Sequence, residues 1–198
     1  SKIHSMNLHY ETVSPLLKET LQKLVNSPIF KDFTLIGGTC LSLQLGHRRS
    51  IDIDLFTDID YGTMNTKEMK EFIQRSFPYS ENTDSLDTSA LGYTLYMGDS
   101  PIDKIKVDFF YTEKFIFPIQ EIDHIRIADI REIAAMKLSA ITEEEPRQKD
   151  FWDIHELNEK YSFKDMIDWG IKRNEWSVTE EGILNGFQKI DSVKESPE

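Results

Sequence analysis

The sequence is poor in cysteine and in long apolar runs, and each shortage excludes a class of protein. Its single cysteine, Cys40, excludes an intramolecular disulfide and is typical of a reducing compartment. The apolar runs are far shorter than the roughly 20 residues that a helix needs to span a bilayer. No charged segment followed by an apolar one opens the printed sequence. We therefore expect a cytoplasmic protein without membrane association.

Positive charge is also scarce, since 23 lysines and arginines face 35 aspartates and glutamates and the formal net charge is −12. This balance argues against a protein that binds nucleic acid generally through salt-dependent phosphate contacts. It leaves room for a local basic patch. Most of the acidic side chains are interpreted as a solvated surface.

Metal-binding patterns of histidine and cysteine are missing as well. The five histidines show no zinc spacing, and one cysteine adds little to them. There is no internal repeat or low-complexity linker, and 39% of the residues are hydrophobic, so a packed core is expected. The length fits one domain, or one domain with a helical extension.

The most informative stretch begins with a short β-favouring run, Phe33 to Ile36, that meets Gly37 and Gly38. Two glycines allow a sharp turn and a close approach to a ligand, because no Cβ intrudes. We predict Thr39 as the N-cap of the short helix that follows. A glycine turn that leads into a helix N-terminus presents backbone N–H groups and partial positive charge, which favour a phosphate.

Two carboxylates follow in the segment 51–56, which has the pattern of a strand. Side chains alternate along a strand, so we predict that Asp52 and Asp54 share one face. Adjacent carboxylates repel each other and favour a bound cation, and hard oxygen ligands suit Mg²⁺. Asp58, Asp60 and Gly62 superficially extend the pattern to a calcium loop. The isoleucines and leucine around Asp52 and Asp54 argue instead for a half-buried strand.

Together these motifs resemble the nucleotidyltransferases of the DNA polymerase β superfamily. The longer string from Gly37 to Phe56 is similar to the AbiEii/AbiGii toxin family of bacterial nucleotidyltransferases, and the likeness covers most of residues 33–157. It implies an α+β fold: a polymerase β-like core, with a mixed sheet flanked by helices, and a C-terminal helical region. It also implies a third carboxylate on a neighbouring strand, a later lysine, and a basic–acidic pair on helices.

The third carboxylate matches Asp108 in the predicted strand 102–110. Alternation puts Lys104, Lys106 and Asp108 on one face of that strand. An isolated strand aspartate is often an ion-pair partner or a charge that protects a sheet edge. The resemblance instead implies a metal ligand.

The later lysine matches Lys137, which falls inside the apolar stripe of the predicted helix 130–141. A buried lysine must meet an anion or lose its charge. Solvent exposure of its tip and an ordinary ion pair are the structural alternatives, and the resemblance implies a triphosphate. The basic–acidic pair matches Lys149 and Asp150. Asp150 leans toward the core, where it could position Lys137 or act as a base.

The resemblance implies a nucleotidyltransferase that uses an NTP and releases pyrophosphate. Asp52, Asp54 and Asp108 would hold two Mg²⁺ ions, and Gly37, Gly38 and Thr39 would bind the β- and γ-phosphates. Arg48 or Arg49 and Lys137 would offset developing negative charge, with Lys104 and Lys106 as weaker candidates. Lys137 and Asp150 complete the predicted catalytic set.

The resemblance also implies a biological role, namely the toxin of a toxin–antitoxin or phage-defence pair that adds nucleotides to a tRNA 3′ end. A cognate antitoxin is then a possible partner. Where relatives often carry a Gly-Arg-Gly-like turn, this chain has acidic residues 143–145, which bears on how RNA would approach. A small-molecule acceptor such as an antibiotic, a protein hydroxyl, and a non-catalytic binding module of the same fold remain alternatives.

The predicted organisation has two parts. Residues 1–128 form the α/β core, which begins with a helix over residues 7–27, where Ser14 and Pro15 could mark a cap and first turn partway along. Residues 129–198 form a helical region packed on that core. Asn65, Asp129, Ser162 and Thr179 are predicted helix N-caps.

Overall fold

The computed structural model describes residues 7–81, 91–143 and 145–193. The chain packs as two compact units. The first runs through Thr112 and also contains Gln120–Ile127, and the second contains Glu113–Ile119 and the chain from Ala128 onward. Segment 113–119 therefore accompanies the helices that follow it. Glu144, in the acidic turn noted above, lies outside the described residues.

Within the described residues, the first unit is built on one seven-stranded mixed sheet. The strands are β1 (Thr34–Ile36), β2 (Ile53–Thr57), β3 (Tyr79–Glu81), β4 (Gly92–Gly98), β5 (Lys104–Tyr111), β6 (Gln120–Ile122) and β7 (Ile125–Ile127). Their spatial order is β3-β4-β5-β2-β1-β7-β6. β2 runs parallel to β5, β1 runs parallel to β7, and the other neighbours are antiparallel.

The helices of the first unit are α1 (Pro15–Val25), α2 (Gly37–Leu45) and α3 (Thr66–Ser76). The prediction of one helix over residues 7–27 is wrong for residues 7–14, whereas the predicted cap and first turn at Ser14 and Pro15 are confirmed, because α1 begins at Pro15. Proline has no N–H to lose at a first helical position, and the residue before it prefers extended backbone. Ser14 is extended accordingly, and its side chain accepts a hydrogen bond from the Leu17 N–H. Asn65 caps α3 as predicted.

One face of the sheet is apolar and carries the core of this unit. Along β2 and β5 alternate residues are buried, so Leu55, Val107 and Phe109 are fully enclosed. The ring of Phe109 stacks on Phe30 at 5.5 Å and meets Phe33 edge-on at 5.4 Å. The opposite face of the same strands carries the half-exposed polar side chains, which include Asp54 and Asp108. Burial of the apolar face thus fixes the direction of the polar one.

The second unit holds the helices α4 (Ile130–Ala140), α5 (Gln148–Asn158), α6 (Phe163–Arg173) and α7 (Glu180–Phe187). The predicted caps Asp129, Ser162 and Thr179 are confirmed, since each side chain accepts a hydrogen bond from a first-turn N–H. Among the described residues, no helix combines the length and the apolar character needed to cross a membrane. The expected cytoplasmic location stays a prediction.

A buried ion pair joins segment 113–119 to the helices of this unit. Arg173 Nη1 lies 3.0 Å from Glu132 Oε2, and both side chains are almost completely enclosed. Glu132 Oε1 accepts hydrogen bonds from the backbone N–H groups of Ile116 and Phe117, at 2.8 and 3.1 Å. Arg173 also donates to the Lys114 carbonyl at 3.3 Å. Two charges thus satisfy the backbone of a segment that has no helix or strand of its own.

Candidate active site

The turn from β1 into α2 brings backbone amides and a carboxylate together. Gly37 is the first residue of α2 and has a φ of +72°, a backbone conformation that residues with a side chain rarely adopt. A Cβ on Gly37 would overlap Oδ2 of Asp54, so the absence of a side chain is needed for space as well. The first N–H groups of a helix have no intrahelical partner. The Asp54 carboxylate therefore lies beside the positive end of α2.

Thr39 does not have its predicted role as the N-cap of α2. The helix begins three residues earlier than predicted, so its cap position is Ile36, which makes no side-chain hydrogen bond. Thr39 is buried, and its hydroxyl hydrogen bonds with Ser50 Oγ at 2.6 Å and donates to the backbone carbonyl of Asp52. Its side chain thus ties α2 to the segment that leads into β2, and only its backbone N–H remains available to a phosphate.

Asp54 and Asp108 are register partners on the adjacent parallel strands β2 and β5. Neighbouring strands lie about 4.8 Å apart, and both side chains are on the half-exposed face. Asp52 is also half-buried but precedes β2, which starts at Ile53 rather than Ile51. Strand alternation therefore does not fix its side chain, although its backbone carbonyl is held by Thr39.

Two neighbours hold Asp108 in place on this face. Thr94, its register partner on β4, donates a hydrogen bond from its hydroxyl to Oδ1 at 2.7 Å. Lys106 Nζ lies 3.7 Å from Oδ2, and its side chain is 35% exposed. The predicted face shared by Lys104, Lys106 and Asp108 is confirmed by the burial pattern of β5. The row Asp54–Asp108–Thr94 thus crosses three strands.

The oxygen atoms of Asp54 and Asp108 suit Mg²⁺ but do not form a complete coordination sphere. In residues 7–81, 91–143 and 145–193, no group of three or more acidic, histidine or cysteine side chains is arranged to hold a metal ion. Mg²⁺ is commonly held by one or two carboxylates, with waters and substrate phosphates as further ligands. Asp54 and Asp108, adjacent and half-exposed beside α2, fit that kind of open site.

The two arginines of the predicted phosphate site differ in position. Arg48 is half-buried, and its guanidinium lies where a Cβ on Gly38 would be, against the first turn of α2. Its Nη1 donates to the Arg49 carbonyl at 2.9 Å. Arg49 itself is exposed. Of the pair, Arg48 is therefore the one beside the amides of Gly37 and Gly38.

A charged and aromatic cluster lies farther along the same strands. Lys104 Nζ is 3.0 Å from Glu81 Oε1 and 5.0 Å from the ring centroid of Tyr96. The hydroxyl of Tyr79 donates to the other oxygen of Glu81. Hydrogen bonds from Tyr79 and then Lys104 lower the pKa of Glu81, and the same bond to Glu81 raises the pKa of Lys104. Both groups are therefore charged at neutral pH.

In the second unit, Lys137 is buried as predicted and meets two carboxylates. Its Nζ lies 2.6 Å from Asp150 Oδ1 on α5 and 3.0 Å from Asp153 Oδ2 one turn later. Arg147 adds a longer contact to Asp150 at 3.3 Å. Burial, the largest influence, would raise the pKa of Asp150, but the charges of Lys137 and Arg147 outweigh it and lower that pKa. The contact of Lys137 with a triphosphate stays a prediction.

Sequence reasoning missed Asp153, Thr94 and Ser50 as supporting residues. Asp153 follows Asp150 by three residues and so shares its helix face, a signal that was available beside a lysine predicted to be buried. Thr94 could not be found without the register of β4 on β5. Ser50 could not be found without knowing where α2 begins.

Comparison with known proteins bears on the family and the fold. A family model described as "Nucleotidyl transferase AbiEii toxin, Type IV TA system" matches residues 19–176. The uncharacterised protein aq_aa25 of Aquifex aeolicus (strain VF5) is 34% identical over 155 residues, which are 74% of this chain and 67% of that protein. A crystal structure of a candidate nucleotidyltransferase from H. pylori gives a TM-score of 0.53 at 17% identity, over 91% of this chain and 95% of that one. The fold is that of polymerase β-like nucleotidyltransferases, as predicted.

Proposed function

The chain belongs to the AbiEii nucleotidyl transferase toxin family, and we propose that it moves a nucleoside monophosphate from an NTP to the 3′-terminal hydroxyl of a tRNA. One observation carries this proposal. The amide-rich turn of Gly37, the Asp54 carboxylate and the Asp108 carboxylate follow one another across β1, β2 and β5. A phosphate site beside paired carboxylates is the arrangement that nucleotidyl transfer requires.

In the proposed reaction the acceptor oxygen attacks the α-phosphorus of the NTP. The new bond joins that oxygen to phosphorus, the bond between the α-phosphorus and the bridging oxygen breaks, and pyrophosphate leaves. The acceptor proton passes to a base or to solvent. The backbone N–H groups of Gly37, Gly38 and Thr39 bind the β- and γ-phosphates at the N-terminus of α2. Arg48, packed against the same turn, offsets the charge of the leaving group.

Asp54 and Asp108, with Asp52 nearby, are the residues that we expect to hold Mg²⁺. When bound, the ion lowers the pKa of an attacking hydroxyl and neutralises phosphate charge. The hydrogen bond from Thr94 and the contact with Lys106 orient Asp108 and limit its repulsion of Asp54. Because these contacts fix the Asp108 carboxylate beside Asp54, they support the proposal that the reaction depends on Mg²⁺.

The tRNA acceptor and the role as a toxin are the finer parts of the proposal. The role as a toxin is supported by the family, whose description includes a type IV toxin–antitoxin system. The tRNA acceptor is what the resemblance of residues 33–157 to the AbiEii/AbiGii toxins implies. An antitoxin encoded with the protein is the partner that this family suggests. A small-molecule or a protein acceptor would use the same carboxylates and would differ only in what reaches them.

The experiment is incubation with each of four α-³²P-labelled NTPs, Mg²⁺ and total bacterial tRNA. The Asp52→Asn/Asp54→Asn double variant is the inactive comparison, and Asp60→Asn, at an exposed turn after β2, is the matched control that should keep activity. Label on tRNA with the native protein and the control alone would establish the reaction and the nucleotide.

Other distributions of label would count against parts of the proposal. Label only on a protein or a small molecule in a lysate would retain the chemistry and refute the tRNA acceptor. Absence of transfer to any component, together with absence of Mg²⁺-dependent NTP binding, would refute the enzymatic function.

A further inference from the structure

The sheet continues past the carboxylates on the side away from α2. Gly37 and α2 lie next to Asp54 on the β1 side, whereas β4 and then β3 follow Asp108 on the other side. In phosphoryl transfer the attacking and leaving oxygens lie roughly in line across phosphorus. Because the proposed leaving pyrophosphate sits at α2, the acceptor hydroxyl has to approach from the side of β5, β4 and β3.

The side chains on that side share the polar face of the sheet. Tyr96 on β4 is the register partner of Lys106 on β5. This pair lies two residues along the strands from the pair Thr94 and Asp108. Residues two apart on a strand lie on the same face, about 7 Å from each other. Tyr96 is half-buried, with its neighbours Lys104 and Lys106 29% and 35% exposed. An aromatic ring and two ammonium groups thus border the carboxylates.

One side of the Tyr96 ring is covered by a lysine that is itself held in place. Lys104 lies over the ring at 5.0 Å and is itself held by Glu81, whose other oxygen accepts from Tyr79. The ring side opposite Lys104 is the one that a planar group would use.

We propose that Tyr79, Glu81, Tyr96, Lys104 and Lys106 form the acceptor face, which binds the last nucleotides of a single-stranded RNA 3′ end. A base stacks on the side of the Tyr96 ring opposite Lys104, and a backbone phosphate meets the ammonium of Lys106. Stacking on an aromatic ring combined with lysine–phosphate contacts holds single strands with little regard to sequence. In a blunt duplex only the outer face of the last pair is exposed and the bases behind it are covered, so we expect a single-stranded end to bind more tightly. This assignment rests on the proposed transferase function and names its acceptor subsite.

The test is fluorescence anisotropy with a 5′-fluorescein RNA hairpin that ends in a four-nucleotide single-stranded 3′ overhang, in Mg²⁺ without NTP. The same hairpin with a blunt end is the second probe. For Tyr96→Leu we expect binding of the overhang to weaken about tenfold, the typical worth of one stacked base. Tyr96→Phe keeps the ring and should bind within about twofold of the native protein.

Tyr61→Leu is the matched control, since Tyr61 is an exposed tyrosine beyond the other end of β2. It should leave binding unchanged, and the thermal unfolding midpoint of each variant checks that it is folded. Preference of the native protein for the overhang, lost only in Tyr96→Leu, supports the acceptor face. Equal affinity of native protein and Tyr96→Leu, or no binding by the native protein, overturns it.

Transfer from labelled NTP to tRNA, measured on the same proteins, separates this proposal from the proposed function. If the native protein labels tRNA and Tyr96→Leu keeps the same KM for tRNA, the transferase stands and the acceptor face is wrong. If overhang binding depends on Tyr96 but label is transferred to no RNA, the acceptor face stands and the proposed transfer to tRNA is wrong.

Discussion

Gly37 is packed directly against the carboxylate of Asp54, so that a Cβ on the glycine would overlap Oδ2 of the aspartate. The contact joins the start of α2 to the second residue of β2. It places a carboxylate and the amide end of a helix on one side of the same small space. A side chain at position 37 would therefore displace the Asp54 carboxylate.

Gly37→Ala should therefore reduce nucleotidyl transfer by about 100-fold or more, because displacing a reacting group by about 1 Å can have that effect. Gly62→Ala is the control, since Gly62 also has a positive φ but nothing lies within 4 Å of an added Cβ. Both alanine variants then have a strained backbone, and only Gly37→Ala adds an overlap with the Asp54 carboxylate. Equal activity of the two variants in the labelled-NTP assay would show that the contact is unimportant.

Thr94→Val should raise the Mg²⁺ concentration needed for half-maximal activity by about 10- to 100-fold, the usual effect of removing a partner that orients a metal ligand. The hydroxyl of Thr94 donates to Asp108 Oδ1 at 2.7 Å, and valine keeps the shape without the donor. Excess Mg²⁺ should restore this variant but not Asp108→Asn. Thr63→Val, at an exposed turn, is the control. An unchanged Mg²⁺ titration for Thr94→Val would contradict the assignment of Asp108.

The parts of the site that the sequence predicted are those fixed by local rules. Alternation along β5 was enough to place Lys104, Lys106 and Asp108 on one face, and the paired glycines were enough to predict the turn. That Asp54 and Asp108 are register partners depends on pairing between segments 54 residues apart, which composition and period do not encode. The resemblance supplied that link.

The predictions that the structure corrected depend on where an element begins. Thr39 has the chemistry of an N-cap, but positive φ at Gly37 lets α2 begin at the glycine and turns Thr39 inward. Likewise the alternating pattern of residues 51–56 correctly predicted a strand. However, β2 starts at Ile53, so Asp52 lies outside the paired part of the strand. Element ends are decided by turn geometry and tertiary contacts rather than by propensity.

Lys137→Met should lower the free energy of unfolding by about 3–5 kcal/mol, because it removes the cation that both buried carboxylates contact and leaves Asp150 with the longer Arg147 contact. Asp150 and Asp153 lie 2.6 and 3.0 Å from its Nζ, and both are almost fully enclosed. The triple variant Lys137→Met/Asp150→Asn/Asp153→Asn should recover part of that loss. Urea unfolding measures all of these proteins. A loss below about 1 kcal/mol, typical of exposed pairs, would show that the cluster is not a buried one.

The stabilising contribution of Asp150 should depend on pH in a defined window. Its pKa in the folded protein is lowered from the ordinary 3.8, because Lys137 and Arg147 outweigh the effect of burial. A carboxyl with a depressed folded pKa stabilises the native state fully above its unfolded pKa and loses that contribution as pH falls through the folded value. The stability difference between native protein and Asp150→Asn should thus be constant near neutrality and shrink below about pH 4. A difference that grows on acidification would contradict the lowered pKa.

Arg173→Met should destabilise the second unit by about 3–5 kcal/mol, because Glu132 would be left as a buried carboxylate without a cation. The arginine also donates to the Lys114 carbonyl at 3.3 Å, so segment 113–119 loses a backbone partner as well. Arg131→Met is the matched control, since its pair with Asp129 is 40% and 18% exposed and should be worth about 1 kcal/mol or less. Hydrogen exchange at the amides of Ile116 and Phe117, which donate to Glu132, should accelerate more in Arg173→Met than in Arg131→Met, which loses only the contact of its guanidinium with the Phe117 ring at 4.3 Å. If the two arginine variants unfold at the same urea concentration and protect those amides equally, the buried pair does not hold the segment.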